Sequence, residues 1–221
     1  MSEPENRRPL KSRQTAWAKR IATWLAAAGV SPDHISAASL GFAAIGAGLL
    51  WGSGSASGLD RIDALIAAGC CIQLRLLCNL LDGMVAVEHG KGGPYGPIWN
   101  ELPDRFADVL LLIGAGYGAQ DAGMAHAAAI GWIAAVLAVL TAYIRELGRA
   151  LGFAADFSGP MAKPHRMAAL TAACAVSAIE PVWGWRGQAL AWTLAIIVLG
   201  AAITLVRRVR RLARSLAAKA D

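Results

Sequence analysis

Residues 62–87 read I-D-A-L-I-A-A-G-C-C-I-Q-L-R-L-L-C-N-L-L-D-G-M-V-A-V, an apolar run in which Arg75, Asn79 and Asp82 stand out. A helix needs about 20 apolar residues to cross a hydrocarbon slab about 30 Å thick, and this run is long enough. Comparable runs cover 36–55, 97–118, 124–147, 166–183 and 187–206. The whole chain of 221 residues is 56% hydrophobic and 16% charged, with a mean hydropathy of +0.46. Soluble domains carry about a quarter charged residues, so an ordinary soluble domain, a disordered tail and a secreted disulfide scaffold are all excluded. The expected fold is all-α and integral to the membrane, with six transmembrane helices.

Ahead of the first run, Ala16 to Ala28 carries Trp17, Ile21, Trp24 and Leu25 at helical spacing opposite Lys19 and Arg20. This pattern predicts an N-terminal amphipathic helix lying in the membrane interface. The expected organisation is a segment 1–35 containing that helix, a six-helix domain 36–206 and a basic tail 207–221. Of the 21 Lys and Arg, Arg75 and Arg105 fall within runs and Arg61 and Arg186 on one side. All the others fall on the side of the termini, which the positive-inside rule assigns to the cytoplasm. A cell inner membrane, with both termini and the active site on the cytoplasmic side, is the expected location. The polar start MSEPENRRPLKSRQ lacks the apolar core of a signal peptide, so no cleaved leader is expected. The run R-R-V-R-R-L-A-R directly follows a membrane helix and reads as a stop-transfer and anionic-lipid contact, not as a nucleic-acid site. Cys70, Cys71, Cys78 and Cys174 lie in apolar stretches without zinc-ligand spacing and are expected as small buried side chains.

Ionisable groups inside a bilayer are costly and are functional candidates by default. Arg75, Asn79, Asp82 and Ala86 recur at spacings that put them on one face of the second run, and Asn100, Asp104 and Asp108 do the same on the third. The two faces are expected to meet in one cleft open to the cytoplasm. Oxygen ligands of these kinds suit Mg²⁺, Mn²⁺ or Ca²⁺, and such ions commonly clamp phosphate oxygens. Duller roles are open to some of them: Glu101 can pair with Arg105 one turn on, Arg75 can neutralise Asp82, and Asn79 can act as interhelical glue.

Residues 79–108, N-L-L-D-G-M-V-A-V-E-H-G-K-G-G-P-Y-G-P-I-W-N-E-L-P-D-R-F-A-D, resemble the signature of the CDP-alcohol phosphatidyltransferase family, D-x-x-D-G-x-x-A-R-x(8)-G-x-x-x-D-x-x-x-D. Asp82, Gly83, Ala86, Gly96 and Asp104 match in register. Asn79 and Asn100 replace the first and third aspartates, and Val87 replaces the arginine. The lead A-A-G-V-S-P-D-H-I-S at 27–36 also resembles the family. The resemblance implies an enzyme that displaces CMP from CDP-diacylglycerol with a small alcohol acceptor, using Mg²⁺ or Mn²⁺. It implies two divalent ions held at the signature positions Asn79, Asp82, Asn100 and Asp104, with Asp104 also the general base. Two of those four positions have lost their charge, so either one metal site is weak or absent or Glu101 and Asp108 compensate, and Asp108, one turn beyond Asp104 on the same face, favours compensation. Gly83, Ala86 and Gly96 would leave room for the nucleotide.

In relatives with phosphorylated acceptors, basic residues bind the acceptor phosphate in the region of Arg145, Arg149, Lys163 and Arg166, so the resemblance implies an acceptor pocket there; positive-inside placement explains the same residues equally well. Family members often pair through membrane helices, which implies a homodimer. A CDP-amino-alcohol donor, a catalytically silent lipid-binding relative and a transporter using the intramembrane carboxylates stay open as other readings.

Overall fold

The computed structural model describes residues 14–91 and 93–220, so Arg7, Arg8, Lys11, Arg13 and Gly92 lie outside the described residues. The helices are α1 (Ala16–Ala27), α2 (Pro32–Ser55), α3 (Gly58–Glu88), α4 (Gly96–Asp121), α5 (Ala127–Ala150), α6 (Lys163–Ile179) and α7 (Gln188–Ala220). A 3₁₀ turn, Glu180–Trp183, follows α6. Long helices thus occupy all six apolar runs. Four of them, α2, α3, α5 and α7, are long and apolar enough to cross a membrane on their own composition. The other two fall short for physical reasons: α4 carries Glu101, Asp104, Arg105 and Asp108, and α6 has 17 residues.

Helix starts follow local chemistry. Ser31 caps α2 by accepting the His34 N–H at 3.2 Å, with Pro32 and Asp33 in the first turn. Pro97 opens α4 and Pro164 opens α6, where a missing N–H costs nothing. The short α1 buries Ala18, Ala22 and Ala26 among Leu80, Leu81, Met84 and Val85 of α3, leaving Trp17 and Trp24 exposed.

Small residues set the helix spacing, as expected where lipid tails supply no hydrophobic drive for helix association. α2 packs along both α3 and α4, and α4 in turn along α5. A Cβ added at Gly118 of α4 would sit 2.0 Å from the Leu50 carbonyl oxygen of α2, and one at Gly114 2.5 Å from that of Ala47. At the end remote from Asp82, Arg61 donates to Glu180 at 2.5 Å and to the Ser53 carbonyl at 2.8 Å, all buried. Glu180 also accepts the Ala189 N–H at 3.0 Å, tying the start of α3 to the turn between α6 and α7.

Two expectations need correction. The basic run 207–214 is not a separate tail: α7 continues without a break through 33 residues, and Arg208 is buried. Only Cys174 among the cysteines is buried, while Cys70 is exposed. Cys70 lies off the face of α3 that carries Leu65, Ala68 and Ile72, and meets the outer surface of the bundle.

Gly118→Ala should lower the thermal midpoint of the detergent-solubilised protein by an amount reflecting about 1–3 kcal/mol of overpacking. Gly48→Ala, where an added Cβ meets open space, should leave the midpoint in place in the same melt.

Candidate active site

Burial deepens along the polar face of α4. Asn100 is exposed, Asp104 is 8% exposed and Asp108 1%. The face of α3 opposite holds Asn79 half-buried, with Asp82 and Arg75 buried. α2 supplies Ser36, whose hydroxyl donates to Asp82 Oδ2 at 2.7 Å, while the Gly83 N–H donates to Asp82 Oδ1 at 2.5 Å. Ser36 ends the lead into the first run, and its hydroxyl holds a carboxylate 46 positions away.

Arg75 bridges the two faces. Its Nη2 lies 2.8 Å from Asp108 Oδ1 and 3.3 Å from Asp104 Oδ1, and it donates to the Asp104 carbonyl at 3.2 Å. It therefore neutralises α4 carboxylates and not Asp82. Arg166 reaches from α6 to the other oxygen of Asp108 at 2.7 Å. Both oxygens of Asp108 are thus committed to guanidinium groups, with none left to coordinate an ion. The expectation that Asp108 compensates as a metal ligand is corrected on that geometry: this carboxylate anchors two arginines.

Lys163, the first residue of α6, places its ammonium on Asp104 Oδ2 and 3.1 Å from Asn79 Oδ1. Arg105 lies 3.6 Å from Asp104 Oδ2, and Asp82 interacts electrostatically with both Asp104 and Lys163. Asp104 Oδ1 is buried and has no hydrogen-bond partner among the described residues. Among the described residues no three or more His, Cys, Asp or Glu gather as an ion-holding group. What the cluster offers is the carboxylates of Asp82 and Asp104 with an amide oxygen from Asn79, hard donors that fit Mg²⁺ or Mn²⁺. Gly96 opens α4 with free space where a Cβ would stand, and Gly83 and Ala86 are half-buried on α3.

The four basic residues expected at an acceptor site do not converge. Lys163 and Arg166 are drawn into the carboxylate cluster. Arg149 pairs with Glu146 at 2.7 Å on an exposed surface. Arg145 does line a cleft of about 200 Å³ between α5, α7 and the 153–158 loop, together with Phe153, Asp156, Arg208, Arg211 and Ser215. Arg145 reaches Glu101 on α4 at 2.6 Å, a closer partner for Glu101 than Arg105 at 3.8 Å. Arg208 is held by the carbonyls of Thr141 at 2.6 Å and Ser158 at 3.0 Å. Burial works to raise the Asp156 carboxyl, but the Ser158 hydroxyl and N–H, Arg211 and Arg208 outweigh it and hold it below the usual carboxylate range. Sequence reasoning assigned Arg208 and Arg211 to a stop-transfer run in contact with anionic lipid; the spacing Thr204, Arg208, Arg211, Ser215 is the signal that marks them as one helix face.

No family model matches the sequence. The chain is 35% identical over 116 residues to the bifunctional IPC transferase and DIPP synthase of Rubrobacter xylanophilus, a match covering 52% of this chain and about a quarter (24%) of that protein. It is 26% identical over 188 residues to the phosphatidylinositol phosphate synthase of Mycolicibacterium smegmatis, covering 82% of this chain and 77% of the relative. Among solved structures, the Mycobacterium tuberculosis phosphatidylinositol phosphate synthase PgsA1 in complex with manganese and citrate superposes with a TM-score of 0.73 at 24% identity, over 88% of each chain. The same enzyme with CDP-DAG bound gives 0.73 at 23% identity, over 88% of this chain and 92% of that one. This structural likeness establishes a shared fold. The signature positions and the sequence relatives make the chain similar to CDP-alcohol phosphatidyltransferases, and it is an integral membrane protein.

Asp108→Asn leaves Arg75 and Arg166 buried against a neutral group. It should cost about 3–5 kcal/mol of stability, the range for breaking one side of a buried charge network. Thermal melts in detergent beside Asn100→Ala, at an exposed position, check this: the first should fall sharply and the second stay near the parent.

Proposed function

We propose that this chain transfers a phosphatidyl group from CDP-diacylglycerol to a small hydroxyl compound carrying a negative charge, with release of CMP. The observation that carries the reading is that Asn79 of α3 and Asp104 of α4, both at signature positions, meet through the Lys163 ammonium, with buried Asp82 one turn along α3 from Asn79. Direct displacement fits this arrangement, in which the Ser36 hydroxyl is committed to donating to Asp82 Oδ2. A bond forms between the acceptor oxygen and the phosphorus bearing the diacylglycerol, and the pyrophosphate bond to CMP breaks. Asp104 takes the hydroxyl proton, as a positioned carboxylate base. Ser36 and the Gly83 N–H orient Asp82. A Mg²⁺ or Mn²⁺ ion held by Asp82 and Asp104 would stabilise charge on the pyrophosphate. Gly83, Ala86 and Gly96 would give the nucleotide its approach.

The acceptor side rests on Arg145, Arg208 and Arg211. A cleft with these guanidinium groups suits a phosphorylated polyol, with Arg forks matching phosphate oxygens. The names of the sequence relatives, phosphatidylinositol phosphate synthases, support an inositol phosphate or a close analogue. In this reading the domain 36–206 crosses the membrane six times and pairs as a homodimer. α1 lies in the interface, and the site and both termini face the cytoplasm of the inner membrane. Asn79 and Asn100 favour one other reading, a silent relative that binds the CDP-lipid without turning it over.

CMP release from CDP-diacylglycerol with Mn²⁺ and a panel of phosphorylated and neutral polyols tests the proposal. Metal-dependent release should fall by at least about a hundredfold in Asp82→Ala and Asp104→Ala, with the thermal midpoint retained. Absence of release from folded protein with every acceptor would leave the silent reading. Arg211→Gln should raise KM for the acceptor about tenfold or more while leaving KM for the CDP-lipid in place, consistent with loss of one charge-assisted contact.

A further inference from the structure

The position of Lys163 is not explained by its own helix. As the first residue of α6 it sits at the positive end of the helix dipole, where a cation is disfavoured. Positive-inside placement would be satisfied by an ammonium in water, yet this one is turned inward. It rests between Asp104 Oδ2 and Asn79 Oδ1, with the side chain 21% exposed. Those two oxygens belong to the first and last positions of the signature, on different helices. An ammonium held by oxygens from both is placed as a metal ion would be.

Charge arithmetic points the same way. Asp82, Asp104 and Asp108 contribute three negative charges, and Arg75, Arg166 and Lys163 contribute three positive ones. Asp108 is already spent on Arg75 and Arg166. What remains for mobile cations is Asp82 and Asp104, less the charges of Lys163 and of Arg105, which lies 3.6 Å from Asp104 Oδ2, a remainder of zero. Two divalent ions would bring four positive charges to that remainder, whereas one brings two, which an incoming pyrophosphate balances. Asparagine at 79 is the matching change, because an amide oxygen accepts from an ammonium without the charge that draws a divalent ion.

We infer that Lys163 is a built-in cation of the transfer centre, occupying the place of one of two divalent ions, so that the chain binds a single Mg²⁺ or Mn²⁺. The inference rests on the proposed reading that this cluster takes a divalent ion at all. Lys163 acts here as a positioning residue: it holds the Asp104 carboxylate and the Asn79 amide of facing helices at fixed separation, independently of metal supply.

The test counts bound Mn²⁺ on the purified full-length protein in detergent, by electron paramagnetic resonance of the free ion and by titration calorimetry. The parent and Asn79→Asp should each bind one ion per chain, because the lysine keeps its place in both. Lys163→Met with Asn79→Asp should bind two, and Lys163→Met alone should tighten the single Mn²⁺ at least about tenfold, since a unit charge a few ångströms away is removed. Two ions on the parent would overturn the role of Lys163 while leaving the transferase reading intact. No ion on the folded parent would overturn both. One ion on the double variant with its thermal midpoint retained, or an unchanged affinity in Lys163→Met, would also overturn the role of Lys163. The parent count stands alone as a test should a variant fail to fold.

Discussion

Asp108 accepts from Arg75 through one oxygen and from Arg166 through the other, and in doing so fastens α3, α4 and α6 within the bundle. α3 and α4 share little direct surface, because α2 lies along both of them. Without the buried carboxylate, two guanidinium groups would face each other across a low-dielectric gap, and the helices carrying them would have to part. Buried ion pairs rarely add net stability over apolar packing, but removing one partner is severe. The network is therefore better understood as a specification of helix positions than as a source of stability. Asp82, Asp104 and Lys163 inherit their separations from it.

At the other end of the bundle the same logic recurs with different residues. Arg61 and Glu180 close the remote end, and the Glu180 carboxylate also collects backbone N–H groups from the turn into α7. Between these two polar clamps, the helices meet through alanine and glycine together with leucine and isoleucine, so the intervening packing is apolar and chemically uniform. Uniform packing tolerates sliding of one helix along another. A charged clamp at each end removes that freedom, which matters because a shift of about 1 Å between groups that must meet a substrate can cost two orders of magnitude in rate.

Much of this was legible in the sequence. The apolar runs located every long helix, and the periodicity of Arg75, Asn79 and Asp82 against Asn100, Asp104 and Asp108 named the faces that converge. What the sequence does not carry is partnership. Spacing on one helix cannot tell whether Asp108 turns its oxygens to an ion or to Arg166, since the deciding residue comes from α6, 58 positions later. The same limit hid Ser36 as the support of Asp82. It also hid α7, where a basic run after an apolar one has a ready explanation in membrane topology, and only the burial of Arg208 against Thr141 and Ser158 shows that part of it is built into a cleft.

The unbroken course of α7 has a further meaning. At 33 residues and 1.5 Å per residue it is a rod of about 50 Å, while the hydrocarbon layer is about 30 Å thick. About 20 Å of it extends beyond the oily phase, and Arg208 and Arg211 stand on that extension. On the proposed function, the cleft they line would belong to the aqueous boundary, with the carboxylates of α3 and α4 deeper. A water-soluble acceptor and a lipid donor would then each stay in its own solvent until contact, and neither would need to be dehydrated or pulled from the bilayer first. One stiff helix keeps that phase boundary in register with the chemistry.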